Sequence, residues 1–361
     1  MNLKMKTIDL QEMTGRAIKG AGNNKLLPLT ELMCIKAVDG QLSIITSDGS
    51  NYLYIKKIKV DGDFYVTVKA DQFAKLVSKL TCENVEMTIT NNALEIRANG
   101  VYLLDIPMDE EGEVINYPDP LSDMKSTSDS RQVNLSTIRG ILESCKTSLA
   151  QTLEVPCYTG YYCGDRIIAT DSDKIASLDA HASIFGCDVL VAPEVLNLVD
   201  VMTSEKLNFF FSGDYMVFDS PDCAVVGMIM DGIEEYPIEP ITNILDKDLP
   251  SKCTLDKNAL IALLDRISLF VGPYDDHVIR LTFTNSGINV ESMQSNGVET
   301  INYLSVDDFK PFTCLADITF ILTHLRSLTK DAITLQFGAD NAIRFDEDDV
   351  TLITSLVVEN N

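Results

Sequence analysis

Apolar and polar positions along this chain follow an order that comes round three times. "VTVKADQFAKLVSKLTCENVEMTITNNALEI" begins at Val66, "VLVAPEVLNLVDVMTSEKLNFFFSGDYMVF" at Val189 and "FTCLADITFILTHLRSLTKDAITLQFGADNAIRF" at Phe312. Each reads as a strand closing on Ala, then Asp or Pro-Glu, then roughly ten residues at helical spacing. A polar turn and two strands around a tight turn follow. The closing alanines are Ala70, Ala192 and Ala316, spaced by 122 and then 124 residues.

A second set of segments precedes the first: "IDLQEMTGRAIKGAG" from Ile8, "VNLSTIRGILESCKTSLA" from Val133 and "CTLDKNALIALLDRISLFVG" from Cys253. Each opens as a short strand, passes an Asp, Asn or Ser able to cap a helix, and continues at helical spacing. Alternating strands come next, with hairpin turns at Asp39-Gly40, Gly164-Asp165 and Ser286-Gly287, residue types that tight turns need. The repeat therefore predicts strand, helix, strands, strand, helix, strands in every third. Charged or Pro-rich joints, Met108 to Gln132 and Met230 to Lys252, separate domains expected at 1–122, 130–246 and 250–361. Asp48 and Asp171 occupy equivalent turns, with Asn296 in the third copy. An Asx side chain there bonds its own backbone two residues on, which favours a repeated hairpin over a paired-carboxylate site.

Composition narrows the picture. Forty-five per cent hydrophobic residues is ordinary for a globular protein, and the net charge of −25 repels nucleic acid and anionic membrane at long range. Contact with DNA then requires a local basic patch. The opening "MNLKMKTIDLQEM" lacks a signal-peptide core, so a cytoplasmic protein without a membrane span is expected. Nine cysteines stand singly, without a CxxC pair, and His181, His277 and His324 are the only imidazoles, which argues against zinc. The acidic stretches "DEDD" (Asp346 to Asp349) and "YDDH" (Tyr274 to His277) carry the residues of a magnesium site but lie between expected strands, where solvated acidic turns are common. No phosphate-binding Gly loop, nucleophile elbow or His-Glu metal helix is present. Neither catalysis, cofactor nor metal is expected.

Cut into thirds, the chain resembles the bacterial β sliding clamp, the β subunit family of DNA polymerase III. The likeness rests on "LPLTELMCIKAVDGQLSIITSDG" at Leu27, "IIATDSDKIASL" at Ile167, "DITFILTHLRSLTKDAITLQF" at Asp317 and the "MDGIEEYPIEPI" joint at Met230, in that order and spacing. It implies an α+β chain of three tandem copies of the DNA-clamp fold, closing head to tail with a second chain into a homodimeric ring. Helices would line the ring and antiparallel sheets would form its outside. The function implied is a processivity factor that encircles duplex DNA and tethers the replicative polymerase, with the clamp loader as a further partner. A scaffold of the same fold recruiting transcription or repair factors is the alternative.

Such a ring needs an inner wall that tolerates phosphate without gripping bases. The expected DNA-facing residues are Arg16, Lys19, Lys25, Lys75, Lys79, Arg139, Lys146, Lys206, Arg326 and Lys330. Lys75 and Lys79 lie opposite an apolar stripe of Phe73, Leu76, Val77 and Leu80. For Arg16 and Lys19, simple complementation of the helix dipole is an equal reading. The helix from Pro193 offers Asn197, Asp200 and Ser204 and reaches a cation only at Lys206.

The resemblance also implies a hydrophobic pocket for a partner's linear motif, formed by Tyr158, Thr170, Ser172, Lys174, Ile175, Pro237, Ile241, Phe320, Ile343, Leu356 and Val357. Phe320 lies off its helix's apolar stripe, which fits a pocket or packing against a neighbouring domain. The family's Gly-His-Arg-Leu is Ser172, Asp173, Lys174 and Ile175 here, and its Met-Pro-Met-Arg ending is "SLVVENN". A phage-encoded or otherwise diverged member would carry such departures, with the pocket in place and its ligand preference altered.

Overall fold

The computed structural model describes residues 2–90, 92–109, 111–272, 277–294, 296–307, 309–338 and 342–357. The first third runs β1 (Asn2–Lys6), α1 (Thr7–Ala17), β2 (Leu32–Val38), β3 (Gln41–Ser47), β4 (Tyr52–Ile58), β5 (Phe64–Lys69), α2 (Ala70–Val77), β6 (Asn84–Thr90), β7 (Ala93–Arg97) and β8 (Val101–Asp105). The middle third repeats the order as β9 (Arg131–Asn134), α3 (Leu135–Cys145), β10 (Tyr161–Cys163), β11 (Arg166–Thr170), β12 (Lys174–Asp179), β13 (Val189–Val191), α4 (Pro193–Val199), β14 (Lys206–Ser212), β15 (Tyr215–Asp219) and β16 (Cys223–Met230). After a joint helix, α5 (Ile238–Leu245), come β17 (Ser251–Asp256), α6 (Lys257–Ser268), β18 (Val278–Phe283), β19 (Gly287–Ser292), β20 (Val298–Asn302), β21 (Ser305–Asp307) and β22 (Phe312–Asp317). The chain ends with α7 (Ile318–Ser327), β23 (Ala332–Phe337), β24 (Ala342–Glu347) and β25 (Val350–Ser355). The expected element order is present in every third, but three strands rather than two follow each second helix (β6–β8, β14–β16, β23–β25), and α5 and β21 are further additions.

Two compact units emerge, residues 1–139 with 194–229 and residues 140–193 with 230–361. In the first, one antiparallel sheet runs β1-β6-β7-β8 and another β5-β2-β3-β4-β16-β15-β14-β9. In the second, the sheets run β13-β10-β11-β12-β25-β24-β23-β17-β21 and β20-β19-β18-β22. Each long sheet is a seam between repeats. The third strand of one repeat's first sheet (β4, β12) pairs with the last strand of the next repeat (β16, β25).

Helices α1 and α2 pack together, as do α6 and α7. Phe73 and Val77 of α2 are fully buried, as is Leu10 of α1; such burial stabilises by about 1.5–3 kcal/mol per side chain. The helix starts reveal a recurrence that the repeat pattern alone did not disclose. The first N–H of α1, α3 and α6 donates to the carbonyl of Glu83, Glu205 and Asp331 respectively, at 2.9, 2.8 and 2.7 Å. A main-chain carbonyl from the turn before β6, β14 or β23 thus serves an orphan donor of the partner helix, and at α3 the Glu205 carboxylate also accepts from Ser136 N at 3.3 Å, at the helix's positive end. Side-chain caps occur only in part as expected: Asp256 accepts from Ala259 N and Asp317 from Thr319 N, whereas Lys6 precedes α1 without one. The short helix α5 was not expected in a Pro-rich joint. Pro240 sits in its first turn, where a missing N–H removes no helical hydrogen bond.

Candidate functional site

The turn aspartates behave as local structure. Asp48 Oδ1 accepts from Ser50 N and Asn51 N at 3.0 and 2.8 Å, and Asp171 Oδ1 from Asp173 N and Lys174 N at 3.1 and 2.8 Å. The DEDD stretch is likewise engaged. Asp346 accepts from Arg344, Gln336 and Thr351, Glu347 from Thr329 and Lys330, and Asp348 pairs with Lys330. Of the YDDH stretch, residues 274–276 lie outside the described residues.

The cations expected to face DNA fall into two classes. Lys19, Lys25, Lys79, Lys146 and Lys206 are exposed and, among the described residues, make no ion pair. The other five are matched to carboxylates: Arg16 to Asp222 at 2.8 Å, Lys75 to Asp71 at 2.6 Å, Arg139 to Asp200 and Arg326 to Asp265 at 2.7 Å, and Lys330 to Asp348. Arg16 is also the least exposed of these five, at 16%. Burial alone would raise the Asp222 pKa, but hydrogen bonds from Thr203, Arg16, Ser220 and Ser204 hold it down to about 2.

A groove of about 490 Å³ opens in the second unit, lined by the β12 turn (Ser172, Asp173, Ile175), the α5 joint (Asn243, Ile244, Lys247, Leu249) and the β24–β25 hairpin (Ala342, Arg344, Ile353, Ser355). Of the residues expected to form a pocket, Ser172 and Ile175 line it. Ile241 lies behind it, in a core with Tyr236, Ile175 and Ile353 against which Tyr158 packs. Pro237 precedes α5 as its N-cap. Thr170 is buried, its Oγ1 donating to Lys174 O at 2.7 Å. Lys174 pairs with Asp171 and lies over the Phe320 ring, 4.6 Å from its centroid, so Phe320 packs beneath a cation and does not line the groove. Ile343 is buried while its strand neighbours Ala342 and Arg344 face the groove. Side chains alternate across a strand, so a shift of one residue changes the face. Leu356 is buried, and Val357 N donates to Leu315 O at 2.9 Å, away from the groove.

Matched seams explain why the groove exists. In the first unit Tyr52 pairs with Val226, Val226 with Val217, and Tyr215 with Met228. In the second unit the same register places Ile175 against Ile353, Ile353 against Arg344, and Ala342 against Ser355. Where the first seam carries Tyr52 and Tyr215, the second carries the smaller Ile175 and Ala342, and the groove opens beside them. Tyr52 and Tyr215 instead pack on the first unit's seam core. The signal missed in the sequence was this size difference at matched positions, together with the apolar face of α5.

Beneath the β12 turn, His324 of α7 is fully buried, with its Nε2 3.2 Å from Ser148 Oγ. Burial, reinforced by the charge of Lys174, pushes its pKa down to about 3, and its Nδ1 has no partner among the described residues. Among the described residues, no helix is long and apolar enough to cross a membrane.

No family model and no curated protein matches the chain. Solved structures do. The DNA polymerase sliding clamp of Bacillus subtilis is 16% identical, covers 99% of both chains and superposes with a TM-score of 0.85. The β subunit from DNA polymerase of Streptococcus pyogenes is 13% identical with a TM-score of 0.87, covering 99% of this chain and 100% of its own. A putative DNA polymerase III β subunit from Eubacterium rectale, 16% identical, covers both chains completely with a TM-score of 0.84. The seams, the helix pairs and these superpositions agree that this chain has the fold of the bacterial DNA polymerase sliding clamps.

Proposed function

We propose that this protein is a DNA polymerase processivity factor, a sliding clamp that encircles duplex DNA and tethers the replicative polymerase without sequence-specific binding or catalysis of its own. The observation that carries the reading is the pair of strand edges left over by the repeat. Each seam joins a first-sheet third strand to a last strand, β4 to β16 and β12 to β25. The terminal equivalents, β20 in the last third and β8 in the first, are sheet edges. Both expose apolar residues, Val298 on β20 and Val101 and Leu103 on β8. Pairing β20 of one chain with β8 of another repeats the internal seam, and two such pairings close a head-to-tail homodimer. An exposed apolar edge is otherwise an aggregation liability.

Within that reading the three repeats are domains at 1–122, 130–246 and 250–361. The exposed lysines of the helix pairs face phosphate, and the second-unit groove receives linear motifs of polymerase and clamp loader in the cytoplasm. The full-length likeness to clamps supports it. The test is retention on DNA: loaded onto a nicked circle, the protein should stay bound and be released when the circle is cut to linear duplex. Tight binding to short linear duplex at physiological salt, or a stable monomer at micromolar concentration, would overturn the reading.

A further inference from the structure

The groove has a chemical asymmetry that apolar docking alone does not use. By the matched seam register, Arg344 stands where the first unit carries Val217. A guanidinium replaces an aliphatic side chain on the groove wall, at 16% exposure. It is held rigidly: Nε donates to Asp346 Oδ1 at 2.7 Å and Nη1 to the carbonyl of Leu245 at 2.6 Å, at the end of α5. Nη2 lies 3.5 Å from Thr351 Oγ1, at the outer limit of a hydrogen bond. Of five N–H donors, two have no partner among the described residues. Asp346 also accepts from Gln336 and Thr351, so its charge is shared among three donors. Apolar Ile175, Ile244, Leu249 and Ile353 line the same groove, with Lys247 and Asp173 also on its wall, and Ile353 is the cross-strand partner of Arg344.

Resting on the docking reading above, we infer that Arg344 makes this groove selective for an extended peptide that carries an Asp or Glu side chain beside its aliphatic anchors. Ala342 and Ser355 leave room for the anchors, and the carboxylate takes the spare N–H groups of a guanidinium already fixed in place. A planar, preorganised guanidinium is the cation best matched to a carboxylate. Partial desolvation strengthens the pair relative to one in open solvent.

The test begins with peptides selected on the full chain from a random heptamer library, resynthesised with both ends capped, in acidic and amide (Asn or Gln) forms. Selected peptides should carry an acidic residue near an aliphatic one, and the amide form should bind about tenfold or more weakly. In Arg344→Gln the acid-to-amide ratio should fall toward one, and in Arg344→Lys part of it should return. Equal affinities for the two forms on the wild-type chain, or an unchanged ratio in Arg344→Gln, overturn the inference. If Arg344→Gln does not fold, the wild-type ratio decides: it must shrink as salt rises, and a salt-independent ratio overturns the inference. Ala342→Tyr, which restores the first unit's plug, separates this result from the reading beneath it. Loss of all peptide binding in Ala342→Tyr with equal acid and amide affinities leaves docking standing and removes Arg344's role. Undiminished binding in Ala342→Tyr removes the docking groove itself.

Discussion

Two side chains near the groove carry energy that their neighbours do not. Ser172 has φ of +83°, a left-handed conformation that costs a non-glycine residue about 1 kcal/mol. The family that the chain resembles has Gly at this place, the residue such a backbone favours. Ser172→Gly should therefore stabilise the protein by up to about 1 kcal/mol in urea titration while widening the rim of the groove. His324 has the opposite character, a neutral imidazole forced by burial. Its pKa is about 3 in the folded chain, against about 6.5 when unfolded. The folded state resists a proton that the unfolded state accepts, so this stability is whole above pH 6.5 and is lost as pH falls toward 3. The loss should reach about 2 kcal/mol between pH 6.5 and 5. His324→Gln, which keeps a partner for Ser148, should show a correspondingly flatter dependence of denaturation midpoint on pH. Neither property was legible in the sequence. A turn residue's φ and a histidine's burial depend on which distant segments cover them.

At the scale of elements, alternation and helical spacing were sufficient to place most strands and helices but not to choose a strand's facing residues. Ile343 was expected in the groove from the family resemblance, yet the seam register turns it inward and presents Ala342 and Arg344. Helix α5 escaped notice because its segment reads as a charged, Pro-rich joint, and it supplies the second wall of the groove. The edges β8 and β20 belong to this scale as well. Leu103→Lys on β8 or Val298→Lys on β20 should shift the protein from dimer to monomer in sedimentation at micromolar concentration, because a charge at a paired edge opposes strand addition. Thermal stability should fall only by the part that association supplies, and so become independent of protein concentration, since both side chains are exposed in the single chain.

For the whole molecule, charge determines how it meets DNA. A chain of net charge −25 has few cations to offer a duplex, and half of those expected to face it already have a carboxylate partner. In the proposed ring only the unpaired lysines displace counterions effectively. Lys79→Ala and Lys146→Ala should shorten residence on a nicked circle and flatten its salt dependence, each phosphate contact being worth about 0.9 in the log–log slope. Lys75→Ala and Arg139→Ala should alter the slope much less, because each removal also releases an acidic neighbour, Asp71 or Asp200. Equal effects in both sets would show that the ion pairs open freely in the presence of DNA.

What the sequence determined by itself was periodic: three copies of one strand and helix order, hairpins turning on Asp or Gly, apolar stripes beneath basic faces, and acidic joints between copies. Such features are local, since backbone geometry reads them within a few residues. The tertiary structure decided which copies differ in use. Only the paired registers of β4 with β16 and β12 with β25 align Tyr215 with Ala342 and Val217 with Arg344 across a span of more than a hundred residues. From that alignment comes a plugged seam in one unit and an open, charged groove in the other. Volume and charge at a seam are set by residues far apart in the chain, and only folding brings them into register.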